Sequence, residues 1–355
     1  MLFNKVVSLA AFASLAWSTT ITEVLDQNKD NLSGLIGLLA TQPELLKSIS
    51  EAKDITILAP NNKAVETLLS TDAGKAAAAN PAVIKAVLEY HVLSGVFAST
   101  AFSSKPAFAA SLLTDAAYAN VTGGQRVKAV APEGRPKGTV ILSSGLLAEC
   151  NVVAADIAFD GGIIHVIDEV LTLPAAASVT AAAANLTALT GALTTANLVS
   201  TVDGLKDVTI FAPSNAAFEA IAATTAGLSV QQLSSILTYH VVAGTVGYSS
   251  TLTNTKLTTV NGAELEIKVS GADVFVNQAK VVVADVLIAG GVVHVIDGVL
   301  QPSGPGTNTS STHSPNSTAS ATPAPNFVLT NGAGSNMGAV GLGALIGGAA
   351  LLFNL

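Results

Sequence analysis

Three patterns of apolar and polar positions recur along the chain, each twice and in the same order. The first is a short run rich in β-branched residues that ends at a proline: "DITILAPNNKAVETL" over 54–68 and "DVTIFAPSNAAFEAI" over 207–221. The runs ITILA and VTIFA predict short strands, stopped by Pro60 and Pro213. Asn61 and Asn62, or Ser214 and Asn215, then offer side-chain oxygens to the free amides of a new helix. Val65, Leu68 and Leu69 share one face of that helix, as do Phe218 and Ile221 in the second copy. The second pattern is helical. In "VIKAVLEYHVL", His91 follows Leu88, Val87 and Ile84 at helical spacing; in "LSSILTYHVV", His240 bears the same relation to Leu237, Ile236 and Leu233. The third, "GGIIHVIDEVL" over 161–171 and "GGVVHVIDGVL" over 290–300, is a nearly continuous apolar run that predicts a strand buried on both faces. His165 falls on the face of Ile163 and Ile167, with Asp168 and Asp297 on the opposite parity near the strand ends.

Three blocks in one order, twice over, predict a duplicated domain, with copies over 19–173 and 174–302. The offset between matching blocks falls from 153 to 149 to 129 residues, so the first copy has the longer middle. The extra length is expected around "SSKPAFAASLL" and "APEGRPKG", both rich in loop formers.

The histidines are the candidate chemistry. An imidazole on an apolar helix face needs a partner inside, and the carbonyls of a helix end supply one. The spacing favours a core histidine tying the helix end to a strand, over a ligand-contacting site. The two histidines of each copy, with Asp168 or Asp297, could ligate a metal, but the spacing is not diagnostic. No Gly-x-Ser-x-Gly elbow, His-Glu-x-x-His pair or phosphate loop is present. We therefore assign no catalytic residue, no metal ligand and no cofactor.

Composition changes the picture mainly at the two ends. Of 355 residues, half are hydrophobic and 11% are charged, with a net charge of −8. No basic run of five or more occurs, which argues against a nucleic-acid partner. The single cysteine, Cys150, forms no intrachain disulfide; it reads as a buried thiol or an intermolecular link. Residues 1–18 read as a signal peptide, with Lys5 ahead of an apolar run from Val6 to Trp17. Residues 303–330 are rich in Ser, Thr and Pro and predict an O-glycosylated stalk, in which His313 is inert. Residues 331–355 combine small residues with a terminal apolar tail, the pattern of a glycosylphosphatidylinositol attachment signal. Asn331 is the first-choice attachment residue, ahead of Ser335 and Asn336. Sequons at Asn31, Asn120, Asn185, Asn308 and Asn316 become candidate N-glycosylation sites in a secreted chain.

The three blocks together resemble the motifs of fasciclin domains: "TIFAPSNAAF" the first, "YH" with its apolar extension the central one, and "GGVVHVIDGVL" the last. The resemblance implies an α+β fold of two tandem domains, each a twisted wedge of β-strands with helices packed at one end. It implies an extracellular adhesion role. Carried over by position, the family's interaction motifs fall on Tyr90 with His91 and Tyr239 with His240, on Asp156 with Ile157, and on Asp285 with Val286. The last pair departs conservatively from Asp-Ile. The expected protein is a surface glycoprotein anchored to the outer membrane leaflet or the cell wall. Its expected partner is a matrix or cell-wall protein or polysaccharide. A module for a small apolar ligand or lipid is the alternative.

Overall fold

The computed structural model describes residues 19–136, 138–225 and 227–302. The expected signal peptide, the stalk, Asn308, Asn316, Asn331 and the apolar tail lie outside them. Two seven-stranded sheets are built the same way. In the first copy the strands are β1 (Ile55–Pro60), β2 (Val92–Ser94), β3 (Ala107–Ala110), β4 (Arg126–Val130), β5 (Ile141–Ser143), β6 (Glu149–Phe159) and β7 (Gly162–Ile167), in the order β2-β1-β7-β6-β5-β4-β3. In the second they are β8 (Val208–Pro213), β9 (Val241–Val242), β10 (Thr255–Thr258), β11 (Glu264–Ser270), β12 (Asp273–Val276), β13 (Ala279–Ile288) and β14 (Gly291–Ile296), in the order β9-β8-β14-β13-β12-β11-β10. Each sheet has a single parallel pair, β1 with β7 and β8 with β14, and all other pairings are antiparallel.

The repeated blocks build that parallel centre. β1 and β8 are buried along their whole length, and β14 likewise, which accounts for their unbroken apolar sequence. A side chain on Gly162 would run into the carbonyl of Ile55, and one on Gly291 into that of Val208. The second glycine of each Gly-Gly pair is therefore what lets the last strand lie beside the first. After β1, Asn61 caps the helix Asn62–Ser70 by accepting from the Ala64 amide at 2.8 Å; Ser214 caps Asn215–Ala220 from the Ala217 amide at 3.2 Å. The neighbouring Asn62 accepts from the Gly34 amide and donates to the Asp30 carbonyl, and Asn215 does the same with Ala188 and Asn185. The motif's two polar residues thus cap one helix and tie down a second.

The loop formers mark one of the two insertions: "APEGRPKG" lies in the added segment between β4 and β5, whereas the other insertion falls after "PAFAAS" rather than on it. "PAFAAS" contains strand β3, whose counterpart is β10. The added residues fall between β3 and β4 (111–125, against 259–263) and between β4 and β5 (131–140, against 271–272).

The first of these insertions joins the two domains. The Asn120 amide donates to the Ala289 carbonyl at 2.7 Å, and the Asp207 amide donates to the Asn120 carbonyl at 3.0 Å. The Thr122 amide and hydroxyl both donate to the Asp207 carboxylate. Gln125, fully buried, donates to the Ile288 carbonyl at 3.1 Å and accepts from the Arg126 amide. Beside these, Phe108 stacks on Tyr248 with ring centroids 4.1 Å apart, over a small cluster with Leu287 and Val292. Lys128 reaches Asp285 at 3.7 Å, where the carboxylate is almost wholly shielded from water.

The cores differ in filling. The first helix of domain 1, Ile21–Gln27, buries Ile21, Val24 and Leu25; its counterpart in domain 2, Ala177–Ala183, buries Ala177, Thr180 and Ala181. The missing carbons leave an apolar cavity of about 30 Å3 lined by Ala181, Leu189, Leu237, Val286 and neighbours. That is room for roughly one water-sized group, not an acyl chain.

Two stability predictions follow from this packing. Ala181→Val fills the cavity and should stabilise domain 2 by about 1 kcal/mol, raising its midpoint by about 3 °C in scanning calorimetry; a lowered midpoint would show that the space is not available. Gln125→Leu removes the buried amide that Gln125 gives across the junction to the Ile288 and Ala289 carbonyls and should cost about 2 kcal/mol, separating the melting of the two domains into distinct transitions. An unchanged thermogram would mean that the junction does not couple them.

Candidate functional site

The Tyr-His pairs end their helices. Tyr90 and Tyr239 are the last helical residues, and His91 and His240 are the C-caps. All four are inside: Tyr90 is 0% exposed, His91 3%, Tyr239 3% and His240 2%. Their polar atoms are fully used. His91 Nδ1 lies 2.7 Å from the Val87 carbonyl, so it carries the proton, and Nε2 accepts from the Leu171 amide at 2.9 Å. His240 repeats this with Ile236 and Leu300 at 2.8 and 2.9 Å. The imidazole is neutral, and it joins the helix end to the segment that follows the last strand. Tyr90 Oη donates to the Arg126 carbonyl, and Tyr239 Oη to the Glu264 carbonyl, both at 2.8 Å, fixing the helix end to the far side of the sheet. This is the core role that the spacing favoured.

The Asp-Ile and Asp-Val pairs lie at a β-bulge. The register of β6 against β7 slips between Ala154 and Ile157, and that of β13 against β14 slips between Val283 and Val286. At the slip, Asp156 and Asp285 adopt φ of 60° and 65°, a left-handed conformation that aspartate tolerates better than most residues. Each aspartate is then clamped three ways. The Ser99 amide and hydroxyl donate to the Asp156 carboxylate at 2.8 and 2.5 Å, and the Asp156 amide donates to His165 Nδ1 at 3.1 Å. His165 Nε2 in turn donates to the Phe97 carbonyl at 2.8 Å. Ser249, Asp285, His294 and the Gly247 carbonyl form the same cluster in domain 2.

Serine, histidine and aspartate meet here without the relay of a hydrolase. The hydroxyl donates to the carboxylate, while the imidazole bonds only to backbone and takes no proton from the serine. Asp168 and Asp297 are likewise occupied away from the histidines, accepting from the Asn151 and Lys280 amides at 2.7 Å. No group of three or more His, Cys, Asp or Glu that could hold a metal occurs among the described residues. Cys150 is buried, and burial pushes its thiol up, so it is neither nucleophilic nor open to a partner.

The two copies differ in what they leave exposed. Asp285 is 4% exposed and Val286 2%, covered by their own domain and by Lys128. Asp156 is open to solvent and Ile157 is partly so. Burial pushes the Asp156 carboxyl up, but the Ser99 hydrogen bonds and His165 outweigh it and hold the group below its ordinary value. The fasciclin resemblance marks the aspartates but not Ser99 and Ser249, which lie 57 and 36 residues away. A serine in a loop has no periodicity to betray it. Of the sequons, Asn31 and Asn185 are exposed at matching places in the two domains, whereas Asn120 lies at the junction. Among the described residues no helix is long and apolar enough to cross a membrane.

Burial pushes both capping histidines down to about 4, although the carbonyls of Val87 and Ile236 pull the other way. A folded-state value below the unfolded one means that the unfolded chain protonates first. The stability held by the neutral ring is complete above pH 6.5 and is lost as the pH falls to about 4. Each domain should therefore lose about 3 kcal/mol over that window, read as a falling urea midpoint. A flat midpoint across the window would contradict the buried neutral imidazole.

Comparison with known proteins places these features in a family. The fasciclin domain pattern matches residues 30–174 and 184–302. The chain is 31% identical over 298 residues to a fasciclin-like arabinogalactan protein of Arthroderma benhamiae, covering 83% of this chain and 70% of that one. It is 33% identical over 271 residues to a fasciclin-like arabinogalactan protein of Phaeosphaeria nodorum, covering 76% and 84%. A cell surface glycolipoprotein of Mycobacterium bovis is 41% identical over 109 residues, 30% of this chain and 48% of its own. Among solved structures, the FAS1 domain pair of the insect cell adhesion molecule Fasciclin I aligns at 16% identity with a TM-score of 0.36, over 76% of this chain and 97% of that one.

Proposed function

The chain belongs to the fasciclin domain family, and from that premise we propose that it is a non-enzymatic cell-surface glycoprotein that mediates adhesion or organises the cell wall, held there by a lipid anchor. The observation that supports this best is how the repeated motifs spend their polar groups. Every histidine and tyrosine of the Tyr-His pairs, and both bulge aspartates, are bonded within the fold. The motifs build a rigid body rather than a reactive centre. That body is a docked pair of domains with sequons Asn31 and Asn185 on its surface. The relatives named for arabinogalactan and for the cell surface agree with such a role. The secretion pattern, the Ser/Thr/Pro-rich stretch and the terminal apolar tail supply the route and the attachment, with Asn331 as the acceptor.

Of the eight residues marked by the family resemblance, Asp156 and Ile157 reach solvent, so we assign the adhesive contact of domain 1 to them. The partner is a matrix or wall component. Removal of residues 337–355 from the full chain should send the protein into the medium and abolish its retention on cells, together with cell adhesion. Protein that stays on the cells would overturn the anchor; adhesion that persists without surface protein would overturn the adhesive role.

A further inference from the structure

Below the domain junction lies a cleft of about 430 Å3 lined by Val121, Thr122, Arg126, Asp207, Val246 and Tyr248, with Gly244 at its side. Its size falls in the range of small-ligand sites. Tyr248 is 93% removed from solvent, and its hydroxyl, which faces the Arg126 guanidinium, is the one buried side-chain polar atom among the described residues with no well-formed hydrogen bond. Such a group costs stability unless something completes it. The ring cannot swing away from the cleft, because it is stacked on Phe108. Arg126 is partly exposed; its guanidinium reaches the Thr122 carbonyl at 3.5 Å and also faces the Tyr248 hydroxyl, leaving several of its donors free. Asp207 accepts from Thr122 but keeps further lone pairs on both oxygens.

The cleft thus offers free donors on Arg126, free acceptors on Asp207 and a hydroxyl that can do either, with one positive and one negative charge that cancel. A carboxylate or phosphate would meet Asp207; an apolar group would leave all three unsatisfied. We propose that the cleft binds a neutral sugar residue, whose adjacent hydroxyls both donate and accept. This deepens the surface reading above by naming a neutral glycan as the partner, and it rests on that reading. Two sources share this chemistry: a wall polysaccharide, and a glycan on Asn120 of this chain, whose backbone borders the cleft through Asp207.

The test uses the full-length protein, before and after enzymatic removal of Asn-linked glycans. The probe is a β-1,3-linked glucose hexamer, read by saturation-transfer NMR and calorimetry, with a galacturonate hexamer as the charged competitor. The glucose hexamer should bind at millimolar or better affinity, and the galacturonate hexamer more weakly. Arg126→Gln should weaken glucan binding about tenfold and Tyr248→Phe about fivefold. Tyr248→Phe should leave the melting temperature nearly unchanged, since the lost hydroxyl makes no well-formed hydrogen bond in the free protein. Binding that appears only after glycan removal assigns the cleft to the chain's own sugar; binding in both states assigns it to a polysaccharide. Absent glucan binding in both states, preference for the galacturonate hexamer, or binding indifferent to both substitutions overturns the proposal. If cells displaying the double variant still adhere while glucan binding is gone, the cleft is not the adhesive contact and the surface role stands.

Discussion

One neutral imidazole in each domain receives a backbone amide on one side and gives a proton to a backbone carbonyl on the other. His91 and His240 do this at the point where a helix ends, β2 or β9 begins, and the chain beyond the last strand passes by. Both bonded groups would otherwise be buried and unpaired, and no other side chain offers one donor and one acceptor on opposite edges of a flat ring at neutral pH. The parallel pairing of the first and last strands depends on this tie, because it fixes where the chain goes after β7 and β14. A charged ring would donate from both nitrogens and face an amide hydrogen instead of accepting it, which is why the environment keeps the ring neutral.

The bulge aspartates apply the same economy to the middle of the sheet. A strand that must bend gives up ladder hydrogen bonds, and the carboxylate, the serine and the second histidine restore them. In domain 2 the resulting surface is also where domain 1 docks, so one local device serves twice. Lys128 meets a carboxylate already organised by Ser249, and Phe108 meets Tyr248, the residue just before that serine.

Much of this was legible in the sequence where periodicity or repetition marked it. The apolar runs gave β1, β7, β8 and β14, the proline and asparagines gave the capped helices, and the spacing around His91 and His240 placed both in the core. The resemblance to fasciclin domains supplied the fold. What was not legible depends on contacts between distant residues that look ordinary one by one. Ser99 and Ser249 sit in loops; Phe108, Gln125 and Lys128 fall in or beside an insertion that reads as loop formers; and the left-handed backbone at Asp156 interrupts the strand without any turn-forming glycine. The strand β3 was hidden for the same reason, since four residues of Ala and Phe beside a proline carry almost no alternation.

The insertion between β3 and β4 exists in one copy only. Its counterpart in domain 2 is the five-residue link 259–263, and the strands beside it, β10 and β11, present Lys256 paired with Glu264, and Glu266 paired with Lys268, to water. A third domain arriving there would find neither an aromatic platform nor a buried glutamine to dock on, and it would have to strip water from four charges. The pairing is therefore directional. The duplicated domains are thus not equivalent: one carries the docking insertion, and the other turns charged, solvated strands outward at the matching place.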